Sequence, residues 1–96
     1  MSEALILEFS GVTAEEYREV NGHLGIDPDT GAGDWPAGLV SHVGCRGTNL
    51  LVLEVWESQE AQHAFMETRL GPALGKAGLP EPVRMEWMTL LGQHNA

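Results

Sequence analysis

The sequence predicts an α+β chain with the element order β-α-β-β-α-β. Three observations carry that prediction. Short stretches near both ends and in the middle alternate in hydropathy or run strongly apolar. Two longer stretches place apolar residues three and four apart behind capping residues. Breaks rich in Gly, Pro and Asp separate them. Period two marks a strand, and steps of three and four mark an amphipathic helix.

The first strand is "ALILEF", residues 4–9. Leu5, Leu7 and Phe9 share one face, with Ala4, Ile6 and Glu8 on the other. "VTAEEYREVNGHLG" follows as a helix. Thr13 and Glu16 have capping-box spacing, and Val12 and Tyr17 occupy the positions of a hydrophobic staple. Tyr17, Val20 and Leu24 form the apolar stripe, and Gly25 closes the helix. Residues 26–37, "IDPDTGAGDWPA", read as a loop. Strands at 38–45 and 49–56 then flank the short turn "RGT", a hairpin.

"ESQEAQHAFMETRL" is the second helix, with Ser58 as N-cap and Glu60 in the first turn. Ala61, Ala64, Phe65 and Thr68 are expected on its core face, flanked by Met66 and Leu70. "GP" at 71–72 is expected to stop or kink it. "VRMEWMTLL", 83–91, is the last strand, and 92–96 a tail. The order is the split βαβ, ferredoxin-like plan: a four-stranded antiparallel sheet with two helices on one face. A single domain over 1–96 is expected.

Fourteen acidic against five basic residues give a formal charge of −9. Nucleic acid and anionic membranes need a basic footprint, so neither is an expected partner. One cysteine, Cys45, permits no intrachain disulfide. The start, "MSEALILEFSG", has no basic segment before its short apolar run and does not read as a signal peptide or a span. A cytoplasmic protein is expected.

In such a fold the sheet face opposite the helices should be polar if it meets water. Here Ile6, Val40, Val52, Trp56, Met88 and Leu90 fall on even positions, while the odd positions are also apolar. Alternation does not say which parity faces the helices. Either way, too much apolar surface is left for a monomer. A homodimer pairing sheet against sheet is the simplest way to cover it.

"GLVSHV", a hairpin ending in "EVWES", and "EAQHAFMETRLGPAL" resemble the dimeric α+β barrel proteins, specifically their small antibiotic-biosynthesis-monooxygenase-like members. The resemblance spans almost the whole chain and is sharpest at "VWES". It implies a dimeric α+β barrel. The family it points to includes cofactor-independent oxygenases acting on aromatic phenols, haem-degrading enzymes, isomerases, decarboxylases and members without known activity. Matched on "WES", the tryptophan of haem-degrading members falls on Phe65 and their axial histidine near Gly75, so that set is absent. The Asn, Trp, Tyr and Arg of aromatic oxygenases have residue types available in Asn49, Trp56, Tyr17 and Arg69.

His42, inside a strand, is the candidate catalytic base, since a neutral imidazole can take a proton from a phenol. It can equally be a buried histidine with a structural partner. Glu54, of like parity on the next strand, is placed to be that partner in either case. Tyr17, Trp56, Phe65 and Met88 are the candidate substrate-binding walls, with core packing as the plainer role for Trp56. Trp35, before Pro36, could lid a cavity or clamp a partner subunit. His23 and His63 suit a helix end and a solvated face. Asp27 and Asp29 begin a calcium-loop pattern that nothing completes. Cys45 reads as a small packing residue. No metal ligand set and no cofactor is expected.

Two functions follow as expectations. One is a cofactor-independent, monooxygenase-like enzyme acting on a small aromatic or natural-product intermediate, with His42 as base. The other is a non-catalytic homodimer that binds a small ligand or serves as an accessory subunit.

Overall fold

The computed structural model describes residues 2–94. In chain order it contains β1 (Glu3–Phe9), α1 (Ala14–Leu24), β2 (Ile26–Asp27), β3 (Ala32–Gly33), β4 (Leu39–Arg46) and β5 (Leu50–Trp56). There follow α2 (Gln59–Phe65), a π-helical turn at Met66–Leu70, α3 (Gly71–Ala77) and β6 (Arg84–Thr89). Of the expected tail, 92–94 have no regular structure, and 95 and 96 lie outside the described residues. Among the described residues, no helix is long and apolar enough to cross a membrane.

β4, β5, β1 and β6 form one antiparallel sheet in that order. This is the expected ferredoxin-like α+β arrangement. The 26–37 loop contributes a feature of its own, since β2 and β3 pair as a miniature hairpin. Both expected caps form. Thr13 and Glu16 make a reciprocal capping box, and Ser58 Oγ accepts from Ala61 N–H. Gly25 ends α1 with a φ of 75°, which a side chain would resist.

The helices bury one face of the sheet. Leu5, Leu7 and Phe9 of β1 and Leu50, Val52 and Trp56 of β5 pack there with Val20 and Leu24 of α1 and with Phe65, Ala73 and Leu74 of the second helix. The register settles parity strand by strand. Leu5 lies opposite Glu54 on one side and Trp87 on the other, so odd positions of β1 and β6 face the helices with even positions of β5. The expected even-numbered set therefore divides. Val52 and Trp56 face the helices, while Ile6 and Met88 lie on the opposite face. On that face Val43 and Leu53, paired across β4 and β5, are 47% and 40% exposed.

The second helix narrows one expectation and corrects another. Of the stop or kink expected at "GP", the stop does not occur. Pro72 sits in the first turn of α3, where its missing N–H costs little, and Gly71 N–H reaches back five residues to Met66 O. A Cβ on Gly71 would lie 2.8 Å from that oxygen, so the turn requires glycine. The core face also differs from the stripe expected. Ala64 and Thr68 are exposed, and Gln62 is buried with Phe65, Ala73 and Leu74. Gln62 lies between Ala61 and Phe65 on the inward side of α2, where its polarity hid it from a hydropathy stripe, and the extra residue of the π turn shifts the phase only from Met66 onward.

Candidate functional site

The site begins with the pairing of β4 and β5. His42 lies directly opposite Glu54 on the helix-facing side. A bulge between Leu39 and Ser41 precedes it. The extra residue re-phases the strand, so Leu39 and His42, three apart, line one cavity. Two residues on, Gly44 leaves a gap. A Cβ there would sit 2.5 Å from Tyr17 Oη and 2.7 Å from its Cζ. The absent side chain lets the Tyr17 phenol cross from α1 to β4.

Four side chains then join in a line. Tyr17 Oη is 2.7 Å from His42 Nε2, and His42 Nδ1 is 2.8 Å from Glu54 Oε2. Trp56 Nε1–H donates to the other carboxylate oxygen, Oε1, at 3.0 Å. The Tyr17 and His42 ring planes are within 8° of parallel. With the short O···N bond joining their edges, this is an in-plane hydrogen bond rather than face-to-face stacking. Glu54 is 5% exposed and Trp56 is fully buried.

The proton positions follow from the partners. Burial pushes the Tyr17 phenol above its usual 10.0, and the negative charge of Glu54 adds to this, against an opposing effect of Asn21. Tyr17 thus keeps its proton near neutrality and donates it to His42 Nε2. The Nδ1–H then faces Glu54, which as a carboxylate accepts from both His42 and Trp56. This network assigns the Nδ1–H tautomer. The arrangement is a histidine oriented by a buried carboxylate, with both ring nitrogens engaged.

An apolar cavity abuts the chain, with about 60 Å³ open to the centre of a water-sized sphere. That is several times the roughly 10–15 Å³ that admits one water. Leu7, Phe9, Leu24, Val52, Phe65 and Leu74 form much of its wall, and Tyr17, His42 and Glu54 supply polar atoms. A second, more polar space of about 330 Å³ lies outside it, bordered by Arg18, Asp29 and Arg46. Tyr17, Trp35, His42 and Leu50 border both spaces and form the partition. Trp35 Nε1–H donates to Gly31 O at 2.9 Å, and its ring lies 5.3 Å from the His42 ring.

The structure thus places Tyr17, His42 and Phe65 on the cavity. Trp56 is not on its wall but behind it, holding Glu54. Met88 is a correction. It pairs with Ala4 on the face away from the helices, and Trp87 is its helix-facing neighbour. Parity in β6 was unreadable because Met85, Trp87, Met88 and Leu90 make both faces apolar. Asn49 binds Glu8 at 2.7 Å, away from the cavity wall. Arg69 instead pins the 26–35 loop, through Leu24 O at 2.7 Å and Asp34 O at 2.6 Å. Gly44 escaped sequence reasoning, because a glycine in a strand announces a close approach without naming what approaches. His23 and His63 are both exposed. Among the described residues, no three His, Cys, Asp or Glu side chains gather as a metal site would.

No protein-family model matches the chain. No curated protein matches it. Solved structures do. A Chloroflexus aurantiacus protein described as a candidate antibiotic biosynthesis monooxygenase superposes with a TM-score of 0.66 at 15% identity, over 99% of this chain and 98% of that one. SnoaB, a cofactor-independent oxygenase from Streptomyces nogalater, gives 0.60 at 14% identity, over 96% and 95%. The ActVA-Orf6 monooxygenase of Streptomyces coelicolor, in complex with nanaomycin D, gives 0.57 at 20%, over 99% and 91%. The fold is therefore that of the antibiotic-biosynthesis-monooxygenase-like proteins, as the sequence resemblance implied.

Proposed function

We propose that the chain is a cofactor-independent, monooxygenase-like enzyme that takes a proton from a small phenolic aromatic substrate. The observation that carries the reading is the Tyr17–His42–Glu54 chain opening onto an apolar cavity. In this reading Tyr17 Oη accepts the substrate proton as its own passes to His42 Nε2, and Glu54 stabilises the imidazolium. Phe65 forms part of the wall, and Trp56 positions Glu54. The resulting substrate anion passes its electrons to dioxygen, forming a peroxide at a ring carbon; its O–O bond then breaks, one oxygen staying on that carbon as a carbonyl and the other leaving as water with the two hydrogens the substrate loses. SnoaB and ActVA-Orf6, which share the fold, carry oxygenase names and support the same direction.

The homodimer is part of the proposal. Val43 and Leu53, paired across β4 and β5, leave an exposed apolar area on the outer sheet face, which a second copy would cover. Leu53→Glu is expected to halve the mass measured by sedimentation. An unchanged mass would remove this part of the reading.

A specific observation favours a second reading, a homodimer that binds a ligand without turning it over. Both ring nitrogens of His42 are already bonded, and its side chain is only 12% exposed. One experiment separates the two. Wild type and His42→Ala are mixed with naphthol and hydroxyanthrone in air, with phenolate absorbance and oxygen uptake recorded. Deprotonation and uptake lost in the variant support the enzyme. Binding without either signal supports the carrier.

A further inference from the structure

The helix-facing side of β4 continues past Gly44 to Arg46, which lies opposite Leu50. His42, Gly44 and Arg46 thus form one row, with the Tyr17 phenol over the middle position. Successive members of such a row lie about 7 Å apart. Arg46 is exposed, and its Nε–H donates to Val12 O at 3.2 Å. Among the described residues its two terminal nitrogens have no hydrogen-bond partner, and it joins no ion pair. Arg18, across the outer space, is already paired with Asp29 at 3.4 Å. That space is therefore bordered by two arginines and a single carboxylate, in a chain of net charge −9. Of the two arginines, Arg46 is the one without a carboxylate partner among the described residues. A planar fork with both tines free suits a carboxylate held in two parallel hydrogen bonds.

We propose that the outer space is an anion subsite, with Arg46 as its specificity-determining residue, and that the substrate carries a carboxylate on a short arm. The phenol end of the substrate enters the apolar cavity beside Tyr17, the rest of its aromatic body lies past Trp35 in the larger outer space, and the arm reaches Arg46. Among the described residues the inner wall presents no lysine or arginine to hold such a group, since its titratable lining residues are His42, Glu54 and Tyr17. This rests on the cavity being the substrate site, as proposed above, and adds to it the chemistry of the far end.

The test compares three probes by quenching of tryptophan fluorescence: naphthol, a hydroxynaphthyl propanoate and the methyl ester of that acid. Wild type is expected to bind the acid about three- to tenfold more tightly than the ester, with the advantage shrinking in high salt. Arg46→Gln is expected to erase the advantage and leave ester affinity unchanged. Arg46→Lys keeps the charge and is expected to keep part of it. Melting curves on both variants establish that they are folded. If naphthol binds and is deprotonated but acid and ester bind alike, the subsite fails and the cavity reading stands. An acid preference that survives in Arg46→Gln also overturns the subsite. If none of the three binds, both fall together.

Discussion

Glu54 and Gln62 are both polar, both buried and on adjacent elements, and their surroundings could hardly differ more. Glu54, 5% exposed, has a donor on each carboxylate oxygen, His42 on one and Trp56 on the other. Gln62 is 0% exposed, and neither its amide nitrogen nor its amide oxygen has a partner among the described residues. Burial is thus no mark of a site by itself. What separates the two is the set of partners. The first is held in one geometry that its neighbours dictate. The second forgoes its hydrogen bonds, a cost of about 1–3 kcal/mol.

The sharpest way to break this contrast is to remove the carboxylate. Glu54→Leu leaves the Trp56 N–H and the His42 Nδ1–H buried without an acceptor. It is expected to destabilise the fold by about 3–5 kcal/mol in urea unfolding and to abolish any proton uptake by the site. Gly44→Ala should come next. Its Cβ would press on the Tyr17 phenol and lift it from His42, at a cost of about 1–3 kcal/mol, with the tyrosine near-ultraviolet signal changing as well. The third change runs the other way. Gln62→Met keeps the volume and removes the orphaned amide, and a gain of about 1–2 kcal/mol is expected from chemical denaturation. A loss there would mean that Gln62 is satisfied after all, and the contrast would dissolve.

The smallest effect concerns Tyr17. Tyr17→Phe deletes one hydrogen bond, worth about 0.5–1.5 kcal/mol. It should also change the alkaline limb of stability. Because burial raises the Tyr17 value, the folded state holds a proton that the unfolded chain releases as pH passes 10.0. Stability therefore falls as pH rises through and beyond that point. Melting temperatures taken up the alkaline range should fall less steeply in Tyr17→Phe than in wild type.

Most of the fold was legible because local chemistry and hydropathy period agree. Thr13, Glu16, Ser58 and Gly25 mark helix ends through hydrogen bonds made within a few residues, and such signals survive without tertiary context. The His42–Glu54 pair was legible too, since a short hairpin leaves few registers. Three things were not. The face of Met88 depends on the register of β6 against β1, a pairing between the two ends of the chain. The burial of Gln62 runs against its polarity, so no hydropathy reading finds it. The role of Gly44 depends on a phenol arriving from 27 positions earlier, and glycine carries no record of what fills its space.

The π turn at Met66–Leu70 sets a reading frame for the helix that contains it. It accommodates one residue more than an α-helix would over the same span. Excising a single residue from 66–70 would restore regular α-geometry and leave the loops at either end intact. Because the wide turn absorbs its extra residue locally, Ala73 and Leu74 beyond it would keep their places in the core. A chain of this fold that lacks the extra residue must therefore space its core side chains differently across the turn, so aligned sequences would slip out of phase there while their backbones stay superposed.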